Sequence, residues 1–261
     1  MSVQDRYGEI GLAFDGAVAV LEIDRPPHNH VTVELMRDLA DAFQALDADP
    51  RCRAIVLAAA GRTFCGGADL TAPRGIASGE VSQINPLYAE AVRLFSNTKP
   101  IVAAVQGSAV GAGLGLALVA DFRIAGPEAR FSANFVKLGF HPGFGISHTL
   151  PRLIGEQRAA LMALTGRRIK PDEALAWGLV DAVEPAASLR AAALGLAQEI
   201  AENAPLAVQS TRATLRAGLA AAVKAQTDKE FAEQEWLRRT ADFAEGVRAV
   251  AERRPGAFVG A

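Results

Sequence analysis

The residues best placed to do chemistry are small ones. Residues 100–121 read PIVAAVQGSAVGAGLGLALVAD: an apolar run over 101–105, a glycine-rich stretch over 106–115, and a second apolar run over 116–120. The pattern predicts a buried strand, a glycine turn and a buried helix. Glycine lets another group approach the backbone closely. The first N–H groups of a helix have no partner within it and carry partial positive charge. Such a place suits an anion, or an oxygen that becomes one during a reaction.

Spacing excludes several other uses. Gly111, Gly113 and Gly115 form only part of a dinucleotide fingerprint, because the third glycine comes one residue early. The acidic residue expected about 20 positions on is missing, and Phe135 stands near that place. The Gly-Lys-Ser/Thr ending of a phosphate-cradling loop is absent. Gly145-Ile-Ser147 lacks the last glycine of a nucleophile elbow. No cysteine–histidine pair has zinc spacing, and no metal site is expected. On its own the stretch is equally explained by tight strand–helix packing. A second loop tips the balance: residues 63–69, TFCGGAD, follow an apolar run over 54–60. Two glycine-flanked N–H groups from two loops can converge on one oxygen, which is the geometry of an oxyanion hole.

The elements that must hold these loops read as α/β. Strands are expected over 18–23, 54–60, 101–105, 122–125 and 179–183. A helix over 33–48 is capped by Thr32 and turns Leu35, Leu39, Phe43 and Leu46 to one face. A helix over 85–97 points Leu87, Ala91, Leu94 and Phe95 inward, after a polar segment over 71–83 that reads as a mobile loop. Residues 129–138 read as extended or irregular, 139–145 as a turn, and a helix opens near Ser147. Another helix covers 171–177. Beyond Pro185 the pattern is helical only, over 188–203, 205–223, 227–239 and 243–254. The expected division is a core over 1–187 that carries the site and a helical region over 188–261.

The bulk numbers restrict the partners. Half of the 261 residues are apolar and the net charge is −2, so neither nucleic acid nor an anionic membrane surface is indicated. Two cysteines, Cys52 and Cys65, form no disulfide framework and fit a reducing compartment. The first ten residues carry charges without an apolar core, and the apolar runs are too short to span a bilayer. A cytoplasmic protein is expected.

FCGGADL at 64–70 and KPIVAAVQGSAVGAGLGLALVADFRIA at 99–125 resemble the enoyl-CoA hydratase/isomerase, or crotonase, superfamily. So do DRPPHN at 24–29, FSANFVKLGFHPGFG at 131–145, TGRRIKPDEALAWGLVDAV at 165–183 and EGVRAVAERRPGAF at 245–258. The resemblance implies a spiral of β-β-α turns, a C-terminal helical region that builds a homotrimer or a dimer of trimers, and an acyl-CoA thioester as ligand. No separate cofactor is implied, since coenzyme A belongs to the substrate. It implies that the N–H groups of Ala68 and Ala112, flanked by Gly67 and Gly111, form the oxyanion hole. Residues 68–71, with Asp69, Leu70 and Thr71, would line the acyl and pantetheine path, with Asp69 fixing its loop. Arg25, His28 and His30 would border the CoA nucleotide, and Arg253 would reach CoA from a neighbouring subunit.

The sequence departs from the family where the acids should be. The two glutamates that handle water and the α-proton correspond to Gly115 and Phe135, and an isomerase aspartate to the region of Pro142-Gly143. Each missing acid–base group is worth typically 10²–10⁴-fold. Standard two-glutamate hydration is therefore not expected, while an oxyanion hole made of backbone survives. Phe135 makes the pocket drier and supplies no base. His141 is the candidate replacement base, with an ordinary pKa near 6.5; Cys65 is a lesser one, and Asp121 reads as structural. The expectation is an acyl-CoA enzyme that stabilises a thioester enolate. Decarboxylation, C–C bond hydrolysis and non-catalytic acyl-CoA binding remain as alternatives.

Overall fold

The computed structural model describes residues 3–68 and 84–261. Antiparallel β1 (Arg6–Tyr7), β2 (Ile10–Asp15) and β3 (Val18–Ile23) lead into parallel β4 (Ala54–Ala59), β5 (Ile101–Val105), β7 (Phe122–Ala125) and β9 (Ala182–Val183). Hydrogen bonding orders them β1-β2-β3-β4-β5-β7-β9. Between them, β6 (Ser108–Val110) pairs in parallel with β8 (Arg130–Ser132) as a second, small sheet. Single bridges extend it, Cys65 to Ala109 and Phe131 to Ile169. Successive turns thus lay a strand in the large sheet and a shorter extended piece beside it: β4 then Cys65, β5 then β6, β7 then β8.

Strand alternation explains the two layers of core. Leu21, Ile55, Leu57, Ala103 and Val105 face one large cluster. It includes α1 (Val33–Ala48), α2 (Ile84–Phe95) and α3 (Ala112–Val119). Val18, Ala54, Val56, Val102 and Ala104 face the other side, where α7 (Leu189–Ala201) lays Leu189, Ala193 and Ala197 against them. The first helix of the expected C-terminal region is therefore part of the sheet's packing. Thr32 caps α1, its hydroxyl accepting the Leu35 N–H at 3.1 Å.

A 3-10 helix, Asn134–Leu138, occupies the segment read as extended or irregular. It is followed by α4 (Ile146–Ile154), α5 (Glu156–Thr165) and α6 (Pro171–Trp177). After α7 come α8 (Pro205–Leu215), α9 (Leu219–Leu237) and α10 (Ala241–Ala251). The break between α8 and α9 falls at 216–218, not at the expected 224–226, because Gly218 takes the left-handed conformation (φ 75°) there. Asp121, at the turn before β7, accepts from Arg212 and Arg216 of the C-terminal region and from the Ile101 N–H. It ties that region to the sheet, in keeping with a structural role. Among the described residues, no helix is long and apolar enough to cross a membrane.

Candidate active site

The two glycine loops lie against each other. A Cβ on Gly113 would fall 2.1 Å from the Cys65 carbonyl oxygen, and one on Gly67 would fall 2.6 Å from Val110 O and 3.6 Å from Ala112 N. No side chain fits either place, so both positions require glycine. Hydrogen bonds lock the contact: Cys65 N–H donates to Ser108 O at 3.0 Å and Val110 N–H to Cys65 O at 3.1 Å.

In each loop one N–H, that of Ala68 and that of Ala112, follows a carbonyl that is already engaged, and peptide planarity says where it points. In a trans peptide the carbonyl and the next N–H face opposite ways. The Gly67 carbonyl accepts from Val31 N–H at 2.9 Å and lies 3.1 Å from His30 Nδ1. A carbonyl can only accept, so His30 carries its proton on Nδ1. Clamped from behind, that peptide turns the Ala68 N–H away, toward the cleft that Gly67 and Ala68 line. The Gly111 carbonyl accepts from Leu114 and Gly115 N–H at 3.0 and 3.2 Å. The Ala112 N–H, first of α3, is thereby aimed out of the helix start. Helix α3 begins at Ala112, four residues before the expected 116, so the glycines belong to the helix itself. Among the described residues, neither the Ala68 nor the Ala112 N–H has a hydrogen-bond partner.

The cleft in front of them is narrow, with a cavity volume of about 60 Å³. Leu87, Val110, Phe135, Leu138 and Phe140 make its walls apolar. Among the described residues that line it, the polar side chains are Asn134 and Tyr88, and no carboxylate or imidazole is present. Phe135 packs toward the 106–115 loop: its ring tip would lie 3.8 Å from a Cβ on Gly111. Gly115 is walled off, since a Cβ there would sit 2.6–2.8 Å from the Phe144 side chain. Phe144 is fully buried at φ 65°, a conformation rare for a bulky residue.

Tyr88 and its supports were not visible as a site in the sequence. Its hydroxyl occupies the space a side chain at Gly143 would take, 1.9 Å from the ideal Cβ position. It donates to Gln234 Oε1 at 2.7 Å, and Gln234 Nε2 donates to the His141 carbonyl at 2.8 Å. Burial, reinforced by the nearby Glu230, pushes the Tyr88 hydroxyl above its ordinary range, so it stays protonated and donates. Glu230 accepts the Gly145 and Ser147 N–H groups and caps α4 from α9. Burial raises its pKa against the opposing pull of those bonds. Tyr88 lies on the inward face of α2, three residues before Ala91, which is the one signal that could have found it.

The other candidate residues fall in different places. His141 is half-buried, with Nδ1 2.8 Å from the Pro142 carbonyl. It lines a separate groove with Leu164, Trp236 and Leu237, and the structure does not bring it to the two N–H donors. The Pro142-Gly143 turn, pinned by Gln234 and covered by Tyr88, comes between. Cys65 is fully buried and its thiol is pushed up to about 12 by burial, which makes it inert. Arg25 bonds the His30 carbonyl and pairs with Glu9, and His28 is exposed with its carbonyl on the Gly66 N–H. Arg253 is exposed, while its neighbour Arg254 is engaged by Glu245 and Glu252. Asp69, Leu70, Thr71 and the loop read over 71–83 lie outside the described residues. Among the described residues, no group of His, Cys, Asp and Glu is arranged to hold a metal ion.

Comparison with known proteins identifies the family. The family model for enoyl-CoA hydratase/isomerase matches residues 13–261. A probable enoyl-CoA hydratase of Mycobacterium tuberculosis is 40% identical over 214 residues, covering 81% of this chain and 83% of that one. Crotonyl-CoA hydratase of Syntrophomonas wolfei is 32% identical over 256 residues, covering 97% and 98%. The crystal structure of carnitinyl-CoA hydratase from Mycobacterium avium superposes with a TM-score of 0.86 at 32% identity, covering 98% of this chain and 100% of that one. An α/β spiral with paired glycine loops, matched along nearly its whole length, places this chain in the enoyl-CoA hydratase/isomerase family, the crotonase superfamily.

Proposed function

We propose that the chain binds an acyl-CoA thioester and stabilises its enolate between the N–H groups of Ala68 and Ala112. The observation that carries this reading is the pair of unpartnered donors, from two interlocked glycine loops, facing one apolar cleft. A thioester oxygen gains negative charge as the α-carbon loses a substituent. Fixed donors aimed at that oxygen are worth about 3–4 kcal/mol each. The dry walls, Phe135 among them, strengthen the interaction by lowering the local dielectric. Gly67 and Gly111 let the thioester come close, and Asp69, Leu70 and Thr71 follow along the pantetheine. Arg25 and His28 serve the nucleotide end, joined by Arg253 from the next subunit of a trimer or a dimer of trimers.

The reaction itself is set by what removes the α-substituent. Among the described residues the cleft offers no carboxylate, so hydration by two glutamates is not supported. That absence favours a second reading, in which the α-substituent leaves as CO₂ from a malonyl-type thioester. The C–C electron pair passes to the enolate, and a proton returns to the α-carbon. Such a step needs the oxyanion donors and a proton source; the protonated Tyr88 hydroxyl fits the latter. The test is incubation in D₂O with saturated, unsaturated and malonyl-type acyl-CoAs, followed by mass analysis. Deuterium uptake from a saturated thioester shows a working base and supports hydratase or isomerase chemistry. Loss of CO₂ from the malonyl type alone supports decarboxylation. Binding without either leaves a thioester-binding protein and overturns the catalytic reading.

A further inference from the structure

One polar side chain in the cleft is left over once Tyr88 is accounted for. The Tyr88 hydroxyl donates to Gln234, whose amide nitrogen is held in turn by the His141 and Pro142 carbonyls. Asn134 is half-buried and also lines the cleft. Among the described residues its side-chain amide has no hydrogen-bond partner. An amide carries two donors and one acceptor. A single uncommitted polar group among apolar walls is what fixes the orientation of a bound small molecule.

The loop that supplies the second donor also fixes the place of Asn134. Val110 pairs with Ser132 across β6 and β8, and the Gly111 N–H donates to Ser132 O at 2.9 Å. Two residues on, Asn134 opens the 3-10 helix, and its Oδ1 lies 3.4 Å from the place a Cβ would take on Gly111. Gly111 immediately precedes Ala112. The amide thus stands beside the spot where the Ala112 N–H would hold a thioester oxygen, close to whatever the α-carbon carries.

We infer that Asn134 orients the α-carboxylate of a malonyl-type thioester and so selects for a substituent that leaves as CO₂. This rests on the second reading above, loss of CO₂, and names the residue that serves it. The amide N–H groups hold the carboxylate without bringing a positive charge to it. Among the described residues no Lys, Arg or His lines the cleft, so nothing there neutralises the anion and holds it back. The apolar walls make the charge costly where it starts. As the C–C bond breaks, its electron pair passes into the enolate, and the carboxylate carbon leaves as neutral CO₂. The negative charge moves to the thioester oxygen, between the Ala68 and Ala112 N–H groups, and a proton then returns to the α-carbon. A third contact, from a segment outside the two donor loops, also fixes rotation about the bond from the thioester carbon to the α-carbon. The breaking bond must stand across the thioester plane for its electron pair to enter the enolate, and holding that rotamer lowers the barrier.

The experiment follows CO₂ release from malonyl-CoA and methylmalonyl-CoA by the full chain. Asn134→Leu keeps the volume and removes the amide. Its kcat/KM should fall roughly 10- to 100-fold, the worth of one hydrogen bond to a charged group. Asn134→Asp keeps the shape, sets a like charge against the carboxylate and should fall further. Asn134→Ser keeps a donor and should retain more activity than the Asp variant. Calorimetric binding of acetyl-CoA, which lacks the carboxylate, should stay within about threefold of the wild type in the Leu variant. Release of CO₂ by the wild type with an unimpaired Leu variant overturns the inference and leaves the decarboxylation reading intact. No release from either thioester by the wild type overturns both. A Leu variant that loses acetyl-CoA affinity as much as turnover makes Asn134 a packing residue and also overturns the inference. If the Leu variant fails to fold, the order of Ser above Asp decides, and equal activity in those two overturns it.

Discussion

The cleft has two kinds of wall, and they were built differently. One is backbone: Gly67-Ala68 and Gly111-Ala112 meet through carbonyl and N–H groups, with no side chain able to intrude. The other is side chain: Phe135 and Tyr88 line it, while Phe144 behind it fills the space beside Gly115 and the Tyr88 hydroxyl the space beside Gly143. The backbone wall keeps its chemistry whatever residues surround it, because its donors are peptide groups. The side-chain wall is only as chemical as the residues that stand in it, and here those described are mostly apolar. On the proposed reading, the difference separates what the fold supplies, two donors for a thioester oxygen, from what side chains must add, the means of moving a proton or breaking a bond.

The sharpest way to break the comparison is to remove one backbone donor. Ala112 is the first residue of α3, a position where proline is well tolerated because its N–H has no helical partner. Ala112→Pro should therefore fold with an unchanged circular dichroism spectrum. Turnover on the thioester identified in D₂O should fall about 10²–10³-fold, or about 3–4 kcal/mol. Full activity in a folded variant would remove Ala112 from the site. The side-chain wall is probed next, by asking how firmly Phe144 holds the place beside Gly115. A methyl at 115 would meet the Phe144 Cβ at 2.8 Å. Overpacking of that kind costs about 1–3 kcal/mol, more than the ~1 kcal/mol that Gly→Ala returns in a helix. Gly115→Ala should lower unfolding free energy in urea, and the loss should vanish in a Phe144→Gly background, which removes the Cβ along with the ring and suits the positive φ at 144. A neutral Gly115→Ala would mean that the wall is soft and that an acid could be grafted there directly.

The same division explains what the sequence revealed. Glycines at close approach are readable because nothing else fits, so both donor loops were legible at 63–69 and 106–115. Strands over 18–23, 101–105 and 122–125 and the Thr32-capped helix have clear apolar periods and agree with β3, β5, β7 and α1. The start of α3 was less legible: glycine propensity argues against helix at 113 and 115, yet burial on every side overrides it. Of the side-chain wall only Phe135 was legible, as an apolar pocket residue. Tyr88 becomes a cleft residue because α9 crosses α2 and offers Gln234. Arg238 lies over the Phe140 ring only because α9 crosses the turn after the 3-10 helix. These are contacts between residues over 90 positions apart, and no local pattern encodes them.

A smaller effect should separate a donor from its support. His30 does not face the thioester; it holds the Gly67 carbonyl from behind, beside Val31. Removing one of two such bonds costs about 0.5–1.5 kcal/mol. His30→Ala should thus slow turnover up to roughly tenfold, while His30→Asn, which keeps a donor at similar reach, recovers part of it. Affinity for free CoA should not change in either variant. If both variants weaken CoA binding and leave turnover alone, His30 belongs to the nucleotide end instead.

The smallest expected effect belongs to His141. Its imidazole lines the groove beside Trp236, and its own carbonyl, not its ring, takes part in the Gln234 network. Truncating the side chain therefore leaves the Tyr88–Gln234 contact in place. It removes only a contact with the Pro142 carbonyl and a favourable charge interaction felt at Glu230. Peripheral losses of this size stay within about 0.5 kcal/mol. His141→Ala should turn over within about twofold of the wild type, with the same pH profile of kcat. A collapse of turnover would mean that the imidazole swings into the cleft when substrate is bound. The apolar wall would then have a base of its own after all, and decarboxylation would lose the observation that favours it.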